Sequence, residues 1–161
     1  MAKSVLVDTS FLITVYDDTR ANHNTAREYH QYFLDNSIKM YISTIVIAEF
    51  HQGQTAATLL TSGLYFPLPF NVPDAVEFSN VAHNLGNDAR RGSRPEFRDD
   101  VKLMAQAQKN GIDYIITDDS STLARYCRRL TEAEMFTPQV IPINEPFNMI
   151  WFNENGQSSL V

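Results

Sequence analysis

Five short apolar segments of strand length alternate along the chain with longer segments whose apolar residues recur with helical periodicity. The strand candidates are SVLV, KMYIS, LYFPLPF, DYIIT and QVIPI. The helical candidates are residues 10–16, 24–35, 44–52, 73–88, 99–110 and 120–129. This alternation predicts an α/β protein with a mainly parallel central sheet. Two prolines in LYFPLPF predict that this segment is an edge strand.

Length and composition restrict the class of protein. A chain of 161 residues predicts a single domain over residues 1–161, with 146–161 as a C-terminal extension. The one cysteine, Cys127, cannot form an internal disulfide, which favours a reducing, cytoplasmic location. No apolar run approaches the ~20 residues of a membrane span, so no membrane association is expected. The net charge of −6 argues against broad electrostatic adhesion to nucleic acid.

A local basic stretch is nevertheless present. The segment DARRGSRPEFRDD contains Arg90, Arg91, Arg94 and Arg98. The stretch is either solvated surface or a set of phosphate contacts, and its position before an acidic helix favours the second interpretation.

Carboxylates follow two of the predicted strands directly. Asp8 ends SVLV, and Asp118 and Asp119 follow DYIIT. Because the carboxyl ends of parallel strands meet at one edge of the sheet, these acids are expected to share that edge.

Two further acids are predicted to face inward from helices. Asp100 shares a helix face with Leu103 and Met104, whereas Asp99 has a mostly polar face and suits the N-cap position. Glu49 extends the apolar face formed by residues 45 and 46. A buried carboxylate is costly without a partner, and crowded carboxylates repel each other unless a cation lies among them. Oxygen ligands without cysteine or adjacent histidine favour Mg²⁺ or Mn²⁺.

Each acid also has a structural alternative. Asp8 and Asp119 could cap the helices that follow them, Asp100 could stabilise a first helical turn, and Glu49 could lie at a rim.

Four segments, VLVDTSFLI, STIVIAEF, RDDVKLMAQA and YIITDDS, occur in this order over residues 4–145. They resemble the acidic motifs of the PIN-domain ribonucleases, which include the VapC-type toxins of toxin–antitoxin pairs. The resemblance implies a three-layer α/β/α sandwich with a central mainly parallel sheet, and Mg²⁺- or Mn²⁺-dependent hydrolysis of RNA. It also implies an antitoxin protein as partner and a homodimer.

The resemblance assigns roles by motif position. The catalytic acids correspond to Asp8, Glu49, Asp100 and Asp119, of which Asp8, Asp100 and Asp119 would bind the metal. Because these acids occur as adjacent pairs, Asp99 is an alternative to Asp100, and Asp118 is an alternative to Asp119. Hydroxyls expected to orient these groups are those of Thr9, Ser10, Thr117 and Ser121, although each could be an ordinary helix-start residue.

Three other functions compete with a metal-dependent endoribonuclease. A catalytically inert PIN scaffold could act as a protein-binding module, although all four acids are present. A HAD-type phosphatase also begins with a strand-end aspartate, but it needs a second aspartate where this chain has Ser10. A flap-cleaving DNA nuclease would need additional DNA-binding elements.

Overall fold

The computed structural model describes residues 2–50, 56–86 and 95–153, and for residues 95–97 it describes the backbone alone. The strands are β1 (Ser4–Val7), β2 (Lys39–Ser43), β3 (Tyr65–Leu68), β4 (Tyr114–Thr117) and β5 (Gln139–Pro142). The helices are α1 (Thr9–Tyr16), α2 (His23–Asp35), α3 (Thr44–Phe50), α4 (Ala56–Thr61), α5 (Val72–Leu85), α6 (Pro95–Lys109) and α7 (Leu123–Glu132). A short 3₁₀ helix (Met149–Phe152) comes last. None of the described helices is long and apolar enough to cross a lipid bilayer.

The strands form one parallel sheet in the order β3-β2-β1-β4-β5. The central strand β1 is almost entirely buried, because helices pack on both faces of the sheet. One group of helices contains α1, α2 and α3, and the other contains α5, α6 and α7, which gives the three-layer α/β/α sandwich predicted above. Both edge strands contain a proline, Pro67 in β3 and Pro142 in β5.

The predicted strands are all confirmed, and β3 does lie at an edge. The helix ends agree where local signals are strong. Pro73 lies in the first turn of α5, and Gly111 follows α6 with φ of 62°, a left-handed conformation that suits glycine. Helix α5 ends at Leu85 with Gly86 as its C-cap, before the predicted end at residue 88. Helix α4 was not predicted, since its six residues are too few to show a clear period.

The prediction that Asp99 caps a helix is wrong. Helix α6 begins at Pro95, so Asp99 lies within the helix and is not its cap. A proline at the first helical position is a common start signal, and Pro95 could have revealed this boundary. Asp99 and Asp100 therefore differ only in the direction that their side chains take from one helix.

The C-terminal segment docks against the base of the sheet through aromatic rings. Phe152 contacts the rings of Tyr32, Phe33 and Tyr114, with centroid distances of 4.9, 5.6 and 5.2 Å. The Tyr114 hydroxyl donates a hydrogen bond of 2.5 Å to the carbonyl of Trp151. This part of the predicted extension is therefore packed against α2 and β4.

We expect Phe152→Ala to lower the free energy of unfolding by about 2 kcal/mol, because the ring leaves a cavity among other rings. The value is below that of a fully enclosed phenylalanine, since Phe152 lies near the surface. Ile150→Ala is the matched control in the same turn, and its side chain is 70% exposed. Urea unfolding of both variants measures the difference, and equal losses would show that the docked ring contributes little.

Candidate active site

Asp8 lies at the carboxyl end of β1, where the chain turns into α1. Its Oδ1 accepts a hydrogen bond of 2.8 Å from the backbone N–H of Thr9. Its Oδ2 accepts hydroxyl hydrogen bonds from Ser10 at 2.8 Å and from Thr117 at 2.7 Å. The side chain is buried, and burial raises its pKa despite these three donors. Asp8 is thus both the N-cap of α1 and a buried acid at the edge of the sheet.

The two acids after β4 point in different directions. Asp118 turns toward α1, where Thr14 and Asn22 donate hydrogen bonds of 2.9 and 2.7 Å to its carboxylate. Asp119 turns toward α7, and its Oδ1 accepts from the hydroxyl of Ser121 at 2.9 Å. Asp119 also contributes to the raised pKa of Asp8, which places its charge close to that acid. Between these two acids, the geometry therefore favours Asp119 for the site.

Asp100 reaches the same cluster from α6. The hydroxyl of Thr122 is 2.9 Å from Asp100 Oδ2 and also contacts Asp119 Oδ2. Burial, together with the charges of Asp8, Asp119 and Glu49, raises the pKa of Asp100 to about 8. Without a bound cation, Asp100 is therefore largely protonated at neutral pH. One hydroxyl proton cannot serve two carboxylates, and a protonated Asp100 can supply the second hydrogen bond.

Asp119 has the opposite electrostatic behaviour. Burial acts to raise its pKa, but hydrogen bonds from the hydroxyls and backbone N–H groups of Thr122 and Ser121 outweigh burial and lower the pKa. Asp119 is therefore ionised where Asp100 is neutral. Neighbouring acids with separated pKa values can hold different protonation states at one pH, as acid and base chemistry requires.

Glu49 enters the cluster from α3, on the side of β2. Its Oε2 accepts a hydrogen bond of 2.6 Å from the hydroxyl of Thr9. Its pKa is raised, chiefly by burial and further by the charges of Asp8 and Asp99. Asp99 thus lies near Glu49, while Asp100 shares the Thr122 hydroxyl with Asp119.

The hydroxyls predicted to orient the acids do contact them. Thr9 donates to Glu49, Ser10 and Thr117 donate to Asp8, and Ser121 donates to Asp119. Thr122 was not predicted, although a hydroxyl three residues after an acid is a common helix-start pattern that could have indicated it. The site therefore consists of acids joined by short hydroxyl side chains.

The four acids lack basic partners within the described residues. The ion pairs found there involve Asp99, Asp118 and Glu145, and none includes one of the four acids. Like charges that share a partly buried site raise one another's pKa values, and they add to the effect of burial on the pKa of Asp100. A cation from outside the chain would relieve this repulsion.

The donor chemistry suits a hard divalent cation, since it consists of carboxylate and hydroxyl oxygens. As placed, however, no three His, Cys, Asp or Glu side chains of the described residues converge closely enough to form a ligand set. Binding of Mg²⁺ or Mn²⁺ by three carboxylates would therefore require these side chains to move closer together.

Of the four arginines in the predicted basic stretch, Arg98 is among the described residues. Arg98 is exposed in the first turn of α6. Arg90, Arg91 and Arg94 lie outside the described residues, so their contacts with a substrate remain a prediction. Two other cations, Arg20 and Lys102, form ion pairs with Asp118 and Asp99, the sequence neighbours of Asp119 and Asp100.

Several solved structures have a fold similar to that of this chain. VapBC2 from Rickettsia felis, bound to a DNA fragment from its promoter, is similar with a TM-score of 0.58 and 10% identity, over 86% of this chain and 98% of that chain. The sarcin-ricin loop cleaving toxin VapC20 from Mycobacterium tuberculosis is similar with a TM-score of 0.53 and 20% identity, over 73% of this chain and 91% of that chain. FitAcB from Neisseria gonorrhoeae is similar with a TM-score of 0.56 and 16% identity, over 88% of this chain and 99% of that chain.

These similarities show that the chain has the VapC-type PIN-domain fold. No protein-family model matches the sequence. No curated protein matches it at a significant level. The fold predicted from the acidic motifs is confirmed by three-dimensional similarity at sequence identities of 10% to 20%.

Proposed function

We propose that this protein is a divalent-metal-dependent endoribonuclease that hydrolyses RNA phosphodiester bonds. The observation that carries this proposal is the cluster of Asp8, Glu49, Asp100 and Asp119, whose charges act on one another without a basic partner among the described residues. The fold supports it, because one protein of the same fold is a toxin that cleaves the sarcin-ricin loop.

Within this proposal, Asp8, Asp100 and Asp119 bind the metal ion, directly or through water. A metal ion held there would lower the pKa of the attacking water and would neutralise charge on the phosphate. Glu49 enters the cluster from α3, and its raised pKa suits a group that accepts a proton from the attacking water. Thr9 holds the Glu49 carboxylate in place by its 2.6 Å hydrogen bond.

The same proposal includes a toxin–antitoxin role. Two of the structures with this fold, VapBC2 and FitAcB, are named as complexes. We infer that this chain likewise binds an antitoxin protein and forms a homodimer, as its resemblance to VapC-type toxins implies. A catalytically inert scaffold with the same fold is the alternative, and the cleavage test below decides between them.

We expect the purified protein to cleave single-stranded RNA with Mn²⁺ or Mg²⁺ and to be inactive in EDTA. Asp8→Asn should reduce the cleavage rate more than about 100-fold, beyond the usual cost of losing a group that only supports a metal ligand. Asp35→Asn, an exposed acid at the end of α2, is the matched control and should retain the parent rate.

The identity of the active species follows from the same assay. Cleavage that persists in EDTA and survives Asp8→Asn would come from a contaminating ribonuclease. If the parent cleaves no RNA with either metal yet binds a partner protein, the inert scaffold is the better description.

A further inference from the structure

The site contains two pairs of adjacent aspartates, Asp99–Asp100 and Asp118–Asp119, and within each pair the two side chains have different partners. In each pair the second acid, Asp100 or Asp119, faces the carboxylate cluster. The first acid of each pair instead holds a basic side chain: Asp99 Oδ1 lies 3.3 Å from Lys102 Nζ, and Asp118 Oδ2 lies 3.6 Å from an Arg20 Nη. The chain therefore pairs one cation with the sequence neighbour of each of the two inward acids.

Asp118 is held more firmly than the arginine that it pairs with. Asp118 is 12% exposed and accepts hydrogen bonds from Thr14 and Asn22, whereas the Arg20 side chain is 41% exposed. The Lys102 side chain is 37% exposed. At 3.6 Å the contact of Arg20 is longer than a hydrogen bond, so its guanidinium retains donors for another anion. Exposed ion pairs of this kind contribute only ~0–1 kcal/mol to stability, so stability alone does not explain them.

The two cations come from the two helical layers of the sandwich. Lys102 lies on α6 in one layer, and Arg20 lies between α1 and α2 in the other. A polyanion that approaches the acid cluster would meet repulsion from the carboxylates and from the net charge of −6. A cation on each side offsets that repulsion where the chain of phosphates enters and leaves.

We propose that Arg20 and Lys102 bind the phosphates on either side of the phosphodiester that lies at the acid cluster. This inference rests on the proposed RNA hydrolysis and adds to it the residues that position the substrate backbone. Asp99 and Asp118 act as positioning residues, since they hold the two cations rather than the substrate. The contacts would be to phosphates and therefore carry no base preference.

The test compares Arg20→Ala, Lys102→Ala and the double variant with the parent, using single-stranded RNA and Mn²⁺. Lys109→Ala is the matched control, because Lys109 is exposed on the same helix two turns further from the acids. Each variant at the site should raise KM several-fold and change kcat less than twofold. The slope of log(kcat/KM) against log[salt] should become shallower by about 0.7 for each lost phosphate contact, and by about 1.4 for the double variant.

Two further variants separate charge from packing. Arg20→Lys and Lys102→Arg keep the positive charge and should restore most of the salt slope, which a purely structural role would not require. The melting temperatures of all variants should stay close to that of the parent, since exposed ion pairs contribute little.

The outcomes distinguish this inference from the proposed function. If the parent cleaves RNA and the double variant keeps the KM and salt slope of Lys109→Ala, then Arg20 and Lys102 do not contact the substrate, while the nuclease proposal stands. A fall in kcat at unchanged KM would also overturn the inference. If the parent neither binds nor cleaves RNA, both proposals are wrong.

Discussion

Asp100→Asn is expected to abolish RNA cleavage and to leave the metal-free protein at neutral pH as stable as the parent or more stable. The amide keeps the size of the carboxyl, and its N–H can donate to the Thr122 hydroxyl as the protonated carboxyl does. It removes the group whose charge is disfavoured by burial and by Asp8, Asp119 and Glu49. A residue that only stabilised the helix would instead cost ~1 kcal/mol on replacement.

Metal binding gives this prediction a second measurement. Ligands that bind only the folded state stabilise it by RT ln(1 + [L]/Kd), about 2.7 kcal/mol at one hundred times Kd. Millimolar Mn²⁺ should therefore raise the melting temperature of the parent and of Asp35→Asn, and raise that of Asp100→Asn much less. Should Asp100→Asn melt below the parent in EDTA and gain as much from Mn²⁺, Asp100 is not a ligand and Asp99 must be tested next.

The metal-free parent should become less stable relative to Asp100→Asn as the pH rises. The folded protein holds a proton on Asp100 up to a pKa of about 8, whereas the unfolded chain releases it near the ordinary value of 3.8. A raised folded pKa contributes stability that is complete below about pH 4 and is lost as the pH rises through about 8. Because Asp100 is partly exposed and solvent screens its charge, we expect a loss on the order of 3 kcal/mol.

Urea unfolding in EDTA at pH 5, 7 and 9 measures this loss. The free energies of parent and variant should be similar at the lowest pH, with the variant increasingly the more stable above it. Asp8 and Glu49 have pKa values raised in the same direction, so the variant should still show a smaller decline. Parallel pH curves for the two proteins would mean that Asp100 ionises in the folded state as easily as in the unfolded chain.

Periodicity alone was sufficient to predict the sheet. Each strand is a short apolar segment with turn or helix signals on both sides, and parallel strands need such segments to be buried on both faces. Helix boundaries were less certain, because they depend on caps and turns. Helix α7 begins at Leu123, three residues later than predicted, since Asp119 and the hydroxyls of Ser121 and Thr122 form a turn before it.

The inward acids could be predicted because helix faces and strand ends fix where side chains point. The choice between Asp118 and Asp119 could not, because they are adjacent after the same strand and differ only in their distant partners. Asp118 is directed away by Thr14 and Asn22, which lie about a hundred residues earlier in the chain. The ion pair of Arg20 with Asp118 depends on the same long-range contact and has no local sequence signal.

The proline in each edge strand limits how this protein can bind others. Pro67 in β3 and Pro142 in β5 have no backbone N–H, so both open sides of the sheet lack a donor that an added strand would need. Edge prolines of this kind discourage sheet extension and the aggregation that can follow from it. A protein partner, including a second copy of the chain, is therefore expected to bind through helical surfaces rather than by continuing the sheet.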